Sequence, residues 1–134
     1  MALETAIVAP ALMALLVLVI AAGRVAIAQG SIDAAARDAA RQASIARDPG
    51  TARAAALASA EDTLGREGLK CSPSVTVDTR GFAKPVGTPA VVSATVTCEV
   101  EISDIALPGI PGSKALTSDF TSPLDPFRAR GDQT

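Results

Sequence analysis

Few residues in this chain have the type and spacing to do chemistry. The 134 residues contain no histidine, so His-based acid–base catalysis and His metal sites are excluded. Two cysteines, Cys71 and Cys98, cannot build a four-ligand zinc site. No Ser or Cys has a base placed to activate it as a nucleophile. Gly65-Arg66-Glu67-Gly68 lacks both the spacing and the Lys of a phosphate-cradling loop. Glu99 and Glu101 share one face of a strand, where two solvent-facing carboxylates are ordinary. Arg130-Gly131-Asp132 matches the integrin-binding tripeptide, a chance match in a chain with this many Arg, Gly and Asp residues. What remains is a pair of thiols and one oddly placed carboxylate, Glu4. The expectation is a non-enzymatic protein with no cofactor and no metal.

Glu4 stands at the edge of Thr5 to Gly23, nineteen residues without a charge that end at Arg24. As a helix at 1.5 Å per residue the run spans about 28 Å, close to the roughly 30 Å hydrocarbon core of a bilayer. A helix satisfies its own backbone there, so a single membrane-spanning helix is predicted over residues 1–29. Pro10 removes one helical hydrogen bond and allows a kink. A core helix of a soluble protein fits poorly, because so short a chain has little else to cover it on all sides. An N-terminal position excludes a tail anchor. A cleavable signal peptide is the rival reading: Ala26-Ile27-Ala28 before Gln29 fits the small-x-small cleavage pattern, giving a secreted protein cut after Ala28. Against it, the only side-chain charge before the run is acidic rather than basic, and the run exceeds the usual 7–15 residues. A carboxylate at a bilayer threshold is costly to bury and tends to be retained for function; the plain alternative is a solvated residue among the headgroups.

The remainder holds at most one small domain. A net charge of −2, mixed in sign along the chain, and three Phe with no Trp or Tyr argue against nucleic acid as a partner. Residues 30–68 read as a helical stalk with a turn near 48–50. Arg24 can snorkel to the interface, and Gly30-Ser31 marks a junction that is loosened or capped. From Ile32 onward, Ala35, Ala36, Ala39, Ala40 and Ala43 form a small-residue stripe, either a solvated helix or a packing face for neighbouring subunits. Asp33 and Arg37 form an i,i+4 acid-to-base pair. Asp48-Pro49-Gly50 ends that helix. Thr51 is expected to cap a second one from about Ala52 to Leu64, with Ala54, Leu57, Ala60 and Leu64 on its apolar side. Gly65 and Gly68 stop it.

Residues 69–121 change pattern to a small antiparallel β domain. Ser74 to Asp78 is one strand. In Val91 to Ile102, Val92, Ala94, Val96, Cys98, Val100 and Ile102 alternate with Ser93, Thr95, Thr97, Glu99 and Glu101, the pattern of a half-buried antiparallel strand. Thr79 to Ala90 reads as a loose hairpin loop, Leu107 to Gly112 as an extended loop, Lys114 to Thr121 as a third strand, and 122–134 as a flexible tail. Cys98 faces the apolar side of its strand and Cys71 stands just before the first strand. Pairing of those strands allows a Cys71–Cys98 disulfide; the alternative, two buried free thiols, is what a cytosolic location favours. A domain beyond a membrane favours the bridge, which is the expectation.

Glu at the head of an apolar helix, Pro10 a few residues in, the Gly23-Arg24 step and the Ala/Arg-rich helix Ala34-Ala35-Ala36-Arg37-Asp38-Ala39-Ala40-Arg41 together resemble TadE-like minor pilins of tight-adherence (Flp-type IV) pilus systems. The similarity covers about the first 45 residues well and the rest in general layout. The residues themselves read as an α+β fold, pilin-like in layout: a long N-terminal transmembrane and stalk helix, a second helix, and a small antiparallel sheet with one disulfide; the resemblance adds to that reading. It also implies a membrane-anchored minor pilin whose partners are the membrane, other pilin subunits and the pilus assembly machinery, with its C-terminal domain outside the cytoplasm. Glu4 is then an assembly residue that meets a neighbouring subunit's α-amino group. A prepilin peptidase is a further implied partner, removing a short basic leader ending in Gly or Ala a few residues before the Glu. Glu4 lies one place nearer Met1 than that pattern expects, so these residues do not assign the cut. A single-pass scaffold of a secretion system is a third reading.

Overall fold

The computed structural model describes residues 1–129 and has the predicted α+β architecture. One long helix, α1 (Ala2–Ile45), runs unbroken through Pro10 and through Gly30-Ser31. The expected junction is therefore absent: Ser31 is buried and its hydroxyl donates back to the Ile27 carbonyl at 3.2 Å, which satisfies the side chain inside the helix. A short turn leads to α2 (Pro49–Arg66). Its cap is Asp48, not Thr51. The Asp48 carboxylate accepts from the Thr51 amide at 2.8 Å and from the Thr51 hydroxyl at 2.7 Å, while Pro49 fills the first helical position, where no amide is needed.

Three antiparallel strands follow, β1 (Ser74–Asp78), β2 (Ala90–Glu101) and β3 (Ser113–Leu124), in the order β1-β2-β3. The alternation in β2 holds: Ala90, Val92, Ala94, Val96, Cys98 and Val100 are buried. Ile102 does not continue it but starts a single helical turn, α3 (Ile102–Ile105). The β1–β2 connection is less loose than expected, for a 3-10 turn at Arg80–Ala83 buries Phe82. The third strand also reaches further than Thr121. Val91 pairs with Pro123 and Ala90 with Leu124, and Leu124 is buried, so the first residues assigned to a tail belong to the sheet. Pro123 is tolerated because β3 is an edge strand and needs no amide on its free side. Arg130-Gly131-Asp132 and the end of the expected tail lie outside the described residues.

The core lies between one sheet face and the helix pair. The lower half of α1 packs on α2, β2 and β3, and α2 packs on β1. The alanine stripe is thus neither solvated nor free for other subunits: Ala35, Ala36, Ala39, Ala40 and Ala43 are fully buried inside this chain. Small side chains let two helices and a sheet approach closely, at the cost of little buried area per residue. On α2 the buried stripe is Ala52, Ala56, Ala60, Thr63 and Leu64; of the expected stripe Ala60 and Leu64 are buried, whereas Ala54 is exposed and Leu57 is 40% exposed, so its first two positions face outward. Thr63 donates to Asp38 of α1 at 2.9 Å, a polar tie across the helix pair. The Arg37 charge favours the Asp33 carboxylate, as the i,i+4 spacing predicts, but hydrogen bonds from other residues act on it more strongly. The carboxylate accepts from Gln29 at 3.0 Å and from Ser118 of β3, and Arg37 lies 5.6 Å over the Phe120 ring.

Candidate functional site: the uncovered half of the long helix

The first twenty residues of the chain are all exposed, and the apolar ones occupy every side of the helix. Leu3, Ile7, Leu12, Met13, Leu15, Leu18 and Val19 have no partner face within the chain. The most apolar window has a mean hydropathy of 2.6 and is 6% buried, so this helix is long and apolar enough to cross a membrane. A helix hydrophobic all round requires a surrounding that the chain itself does not supply, either lipid or copies of similar helices.

Glu4 lies in the first turn of α1, where the partial positive charge of the helix N-terminus favours a carboxylate. Thr5, Val8, Ala9 and Leu12 line a shallow apolar groove beside it. Among the described residues no cation lies within ion-pair reach of Glu4; the two ion pairs are Arg66–Asp62 and Arg80–Asp78, both in the folded head. Pro10 leaves the Ala6 carbonyl without its intrahelical donor. The uncovered segment therefore offers one acid without an ion-pair partner near its end.

At the other end of the molecule's working parts, Cys71 and Cys98 are joined in a disulfide with their Cα atoms 5.9 Å apart. Cys98 is fully buried on the inner sheet face, and Cys71 precedes β1, so the bridge fastens the α2–β1 connection to the central strand. Closing a loop over a sequence separation of 27 is worth about 3.5 kcal/mol in the chain-entropy model.

The structure does not bring Glu4 and the cysteines together. The cysteines serve the head's stability, while Glu4 stands on the bare helix. Three ties that hold the head on α1 had no signal in the sequence: Gln29 donating to the Thr117 carbonyl at 3.2 Å, Asp33 accepting from Ser118, and Arg37 over Phe120. Each joins residues far apart in the chain. Among the described residues no group of three or more His, Cys, Asp or Glu is arranged to hold a metal ion.

Comparison with known proteins gives one finding. Residues 1–41 match the family model described as TadE-like protein, a stretch that contains Glu4, the apolar run, Pro10 and the alanine stripe up to Ala40. No curated protein and no solved structure matches the chain.

Proposed function

From a chain whose first 41 residues are TadE-like, we propose a non-enzymatic, membrane-anchored minor pilin that takes part in assembling a tight-adherence type IV pilus. The observation that carries this reading is the uncovered apolar half of α1, which continues without a break into a folded head. Such a helix is held in lipid before assembly and packs against like helices in a fibre afterwards. The disulfide suits a head outside the cytoplasm, where thiols are oxidised. Glu4 is the assembly residue: unpaired in the single chain, it meets the α-amino group of a neighbouring subunit, and partial desolvation of that pair fixes register.

The test is Glu4→Gln in cells that make the pilus. The variant is expected to remain membrane-inserted with its disulfide formed, while pilus production falls; Glu4→Asp, with the charge kept and the reach shortened, falls between. Normal pilus levels with Glu4→Gln would reduce Glu4 to a solvated bystander. One observation favours a second reading. The continuous core begins at Ala28 and Ile32, so a cut after Ala28 would spare nearly all of it and release the head as a small secreted binding protein. Sequencing the mature N-terminus separates the two: the pilin keeps its apolar helix, and a first residue of Gln29 would sink it.

A further inference from the structure

The head has two ends, and they differ in chemistry. At one end the α1–α2 turn lies beside the β1–β2 connection, where Arg53 donates to the Thr79 hydroxyl at 2.9 Å. At the other end Arg24, Ile27 and Ala28 of α1 share a cleft with Glu67 and Leu69 after α2 and with Asp104 and Ile105 of α3. That second end is where the apolar run leaves off, so the β2–β3 connection, residues 102–112, stands at the foot of the head beside the anchor. Ile105 to Gly112 contains no charge. Ile110 is 40% exposed and Leu107 is partly exposed, and Ile27 on the adjoining turn of α1 is 72% exposed.

Part of the backbone of this foot is satisfied within the chain. Pro108 and Pro111 have no amide hydrogen. The Ile110 amide donates to the Leu107 carbonyl at 3.4 Å, Ala106 to Ile102 at 2.9 Å and Ile102 to Gly112 at 3.0 Å. Loops fail in apolar surroundings chiefly because their backbone groups lose water without replacement; the bonded amides and the two prolines reduce that loss here, and the remaining amides keep the loop at headgroup depth, where water still reaches them.

We propose that this foot seats in the headgroup layer of the same bilayer that holds α1, with Leu107 and Ile110 of the loop and Ile27 of the helix inserted at its boundary and Arg24 reaching to the phosphates. The inference rests on the membrane-anchor reading. Its occupant is lipid, because the patch adjoins the segment of α1 that is apolar on every side. It fixes the tilt of the head before assembly, and extraction of the subunit would have to release this second hold as well as the helix.

The chain has no Trp or Tyr, so a single introduced tryptophan reports its own surroundings. Full-length protein carrying Ile110→Trp, Leu107→Trp, Val86→Trp or Leu15→Trp is reconstituted into phosphatidylcholine vesicles. Zwitterionic lipid is chosen because the cleft that Arg24 lines also holds Glu67 and Asp104, so the foot carries no net positive charge to recruit an acidic surface. With lipids brominated near the headgroup, Ile110→Trp and Leu107→Trp are expected to lose most of their emission and to shift to the blue. Val86→Trp, in the connection at the far end, should keep its emission and remain open to aqueous iodide. Leu15→Trp should be quenched by lipid brominated deeper in the chain. Lipid quenching at Leu15 with iodide quenching at 107 and 110 overturns the seating alone. Shielding of 107 and 110 from both quenchers overturns it in favour of contact between subunits. Loss of lipid quenching at Leu15 overturns the anchor and the seating with it.

Discussion

Gly81 shows how closely single residues are constrained at the far corner of the head. A Cβ built there would collide with the carbonyl oxygen of Val91 and lie 3.1 Å from Leu124 Cδ1. The Val91 carbonyl belongs to the backbone of a paired strand and cannot retreat without disturbing the β2–β3 pairing, whereas the Leu124 methyl can turn aside. Gly81→Ala is therefore expected to destabilise the folded head by about 1–3 kcal/mol, read as a lower thermal midpoint of the detergent-solubilised protein. An unchanged midpoint would mean the corner relaxes freely. At this scale the sequence was readable where a residue's own alternation or position carried the message. Cys98 lies on the inner face of β2 because it keeps step with Val96 and Val100, and Glu4 stands out because its neighbours are uncharged. Gly81 was not readable: its constraint comes from a strand ten residues later, and nothing nearby marks it. Asp48 was readable in principle, since Asp followed by Pro is a cap and first-turn pair, but the same residues also spell a turn.

The two main helices and three strands were predicted in the right order, while the turn at Arg80–Ala83 and the single turn α3 were not; on α2 the error concerns which face turns inward. On α2 the larger side chain Leu57 suggested a stripe through Ala54, yet alanine is ambiguous, being equally at home in core and solvent. Tertiary packing kept Ala60 and Leu64 but settled the earlier turns through Ala52 and Ala56, both fully buried. The two registers give opposite results for the same change. Ala56→Leu is expected to overpack the space between α2 and its neighbours and cost about 1–3 kcal/mol, while Ala54→Leu on the exposed side should stay within about 0.5 kcal/mol of the parent. Denaturant midpoints of the two variants check this; equal losses, or a greater loss at position 54, would restore the stripe through Ala54 and Leu57. The alanines of α1 carry the same lesson. Their spacing foretold a close-packing face, but not that α2 and the sheet of the same chain would occupy it. On the proposed pilin reading, contacts between subunits through α1 use the bare half above Ala21 rather than the buried stripe.

At the scale of the whole molecule, the head is fastened along the second half of α1, and three aspartates sit at its joints. Asp33 links α1 to β3, Asp48 caps the return into α2, and Asp78 holds the corner after β1. All three are held below the usual carboxylate range. Hydrogen bonds from Ser118 and then Gln29 lower Asp33, bonds from the Thr51 hydroxyl and amide lower Asp48, and those from Arg80 bring Asp78 down to about 2. A carboxyl whose folded value lies below its unfolded one makes the folded state bind fewer protons. Its contribution is fully present above the unfolded value near 3.8 and is lost as pH falls through the folded value. With no histidine in the chain, no side chain has its ordinary titration range between about pH 5 and 8. The thermal midpoint of the oxidised, detergent-solubilised protein is thus expected to stay level from pH 7 to about pH 5. It should begin to fall near pH 4, and the part owed to Asp78 should be the last to go, near pH 2. Asp78→Asn should lower the midpoint at neutral pH and flatten the acid limb, because the proton it would have taken up no longer separates the two states. A midpoint that drops between pH 7 and 5, or an acid limb unchanged in Asp78→Asn, would show that these joints do not set the acid stability of the head.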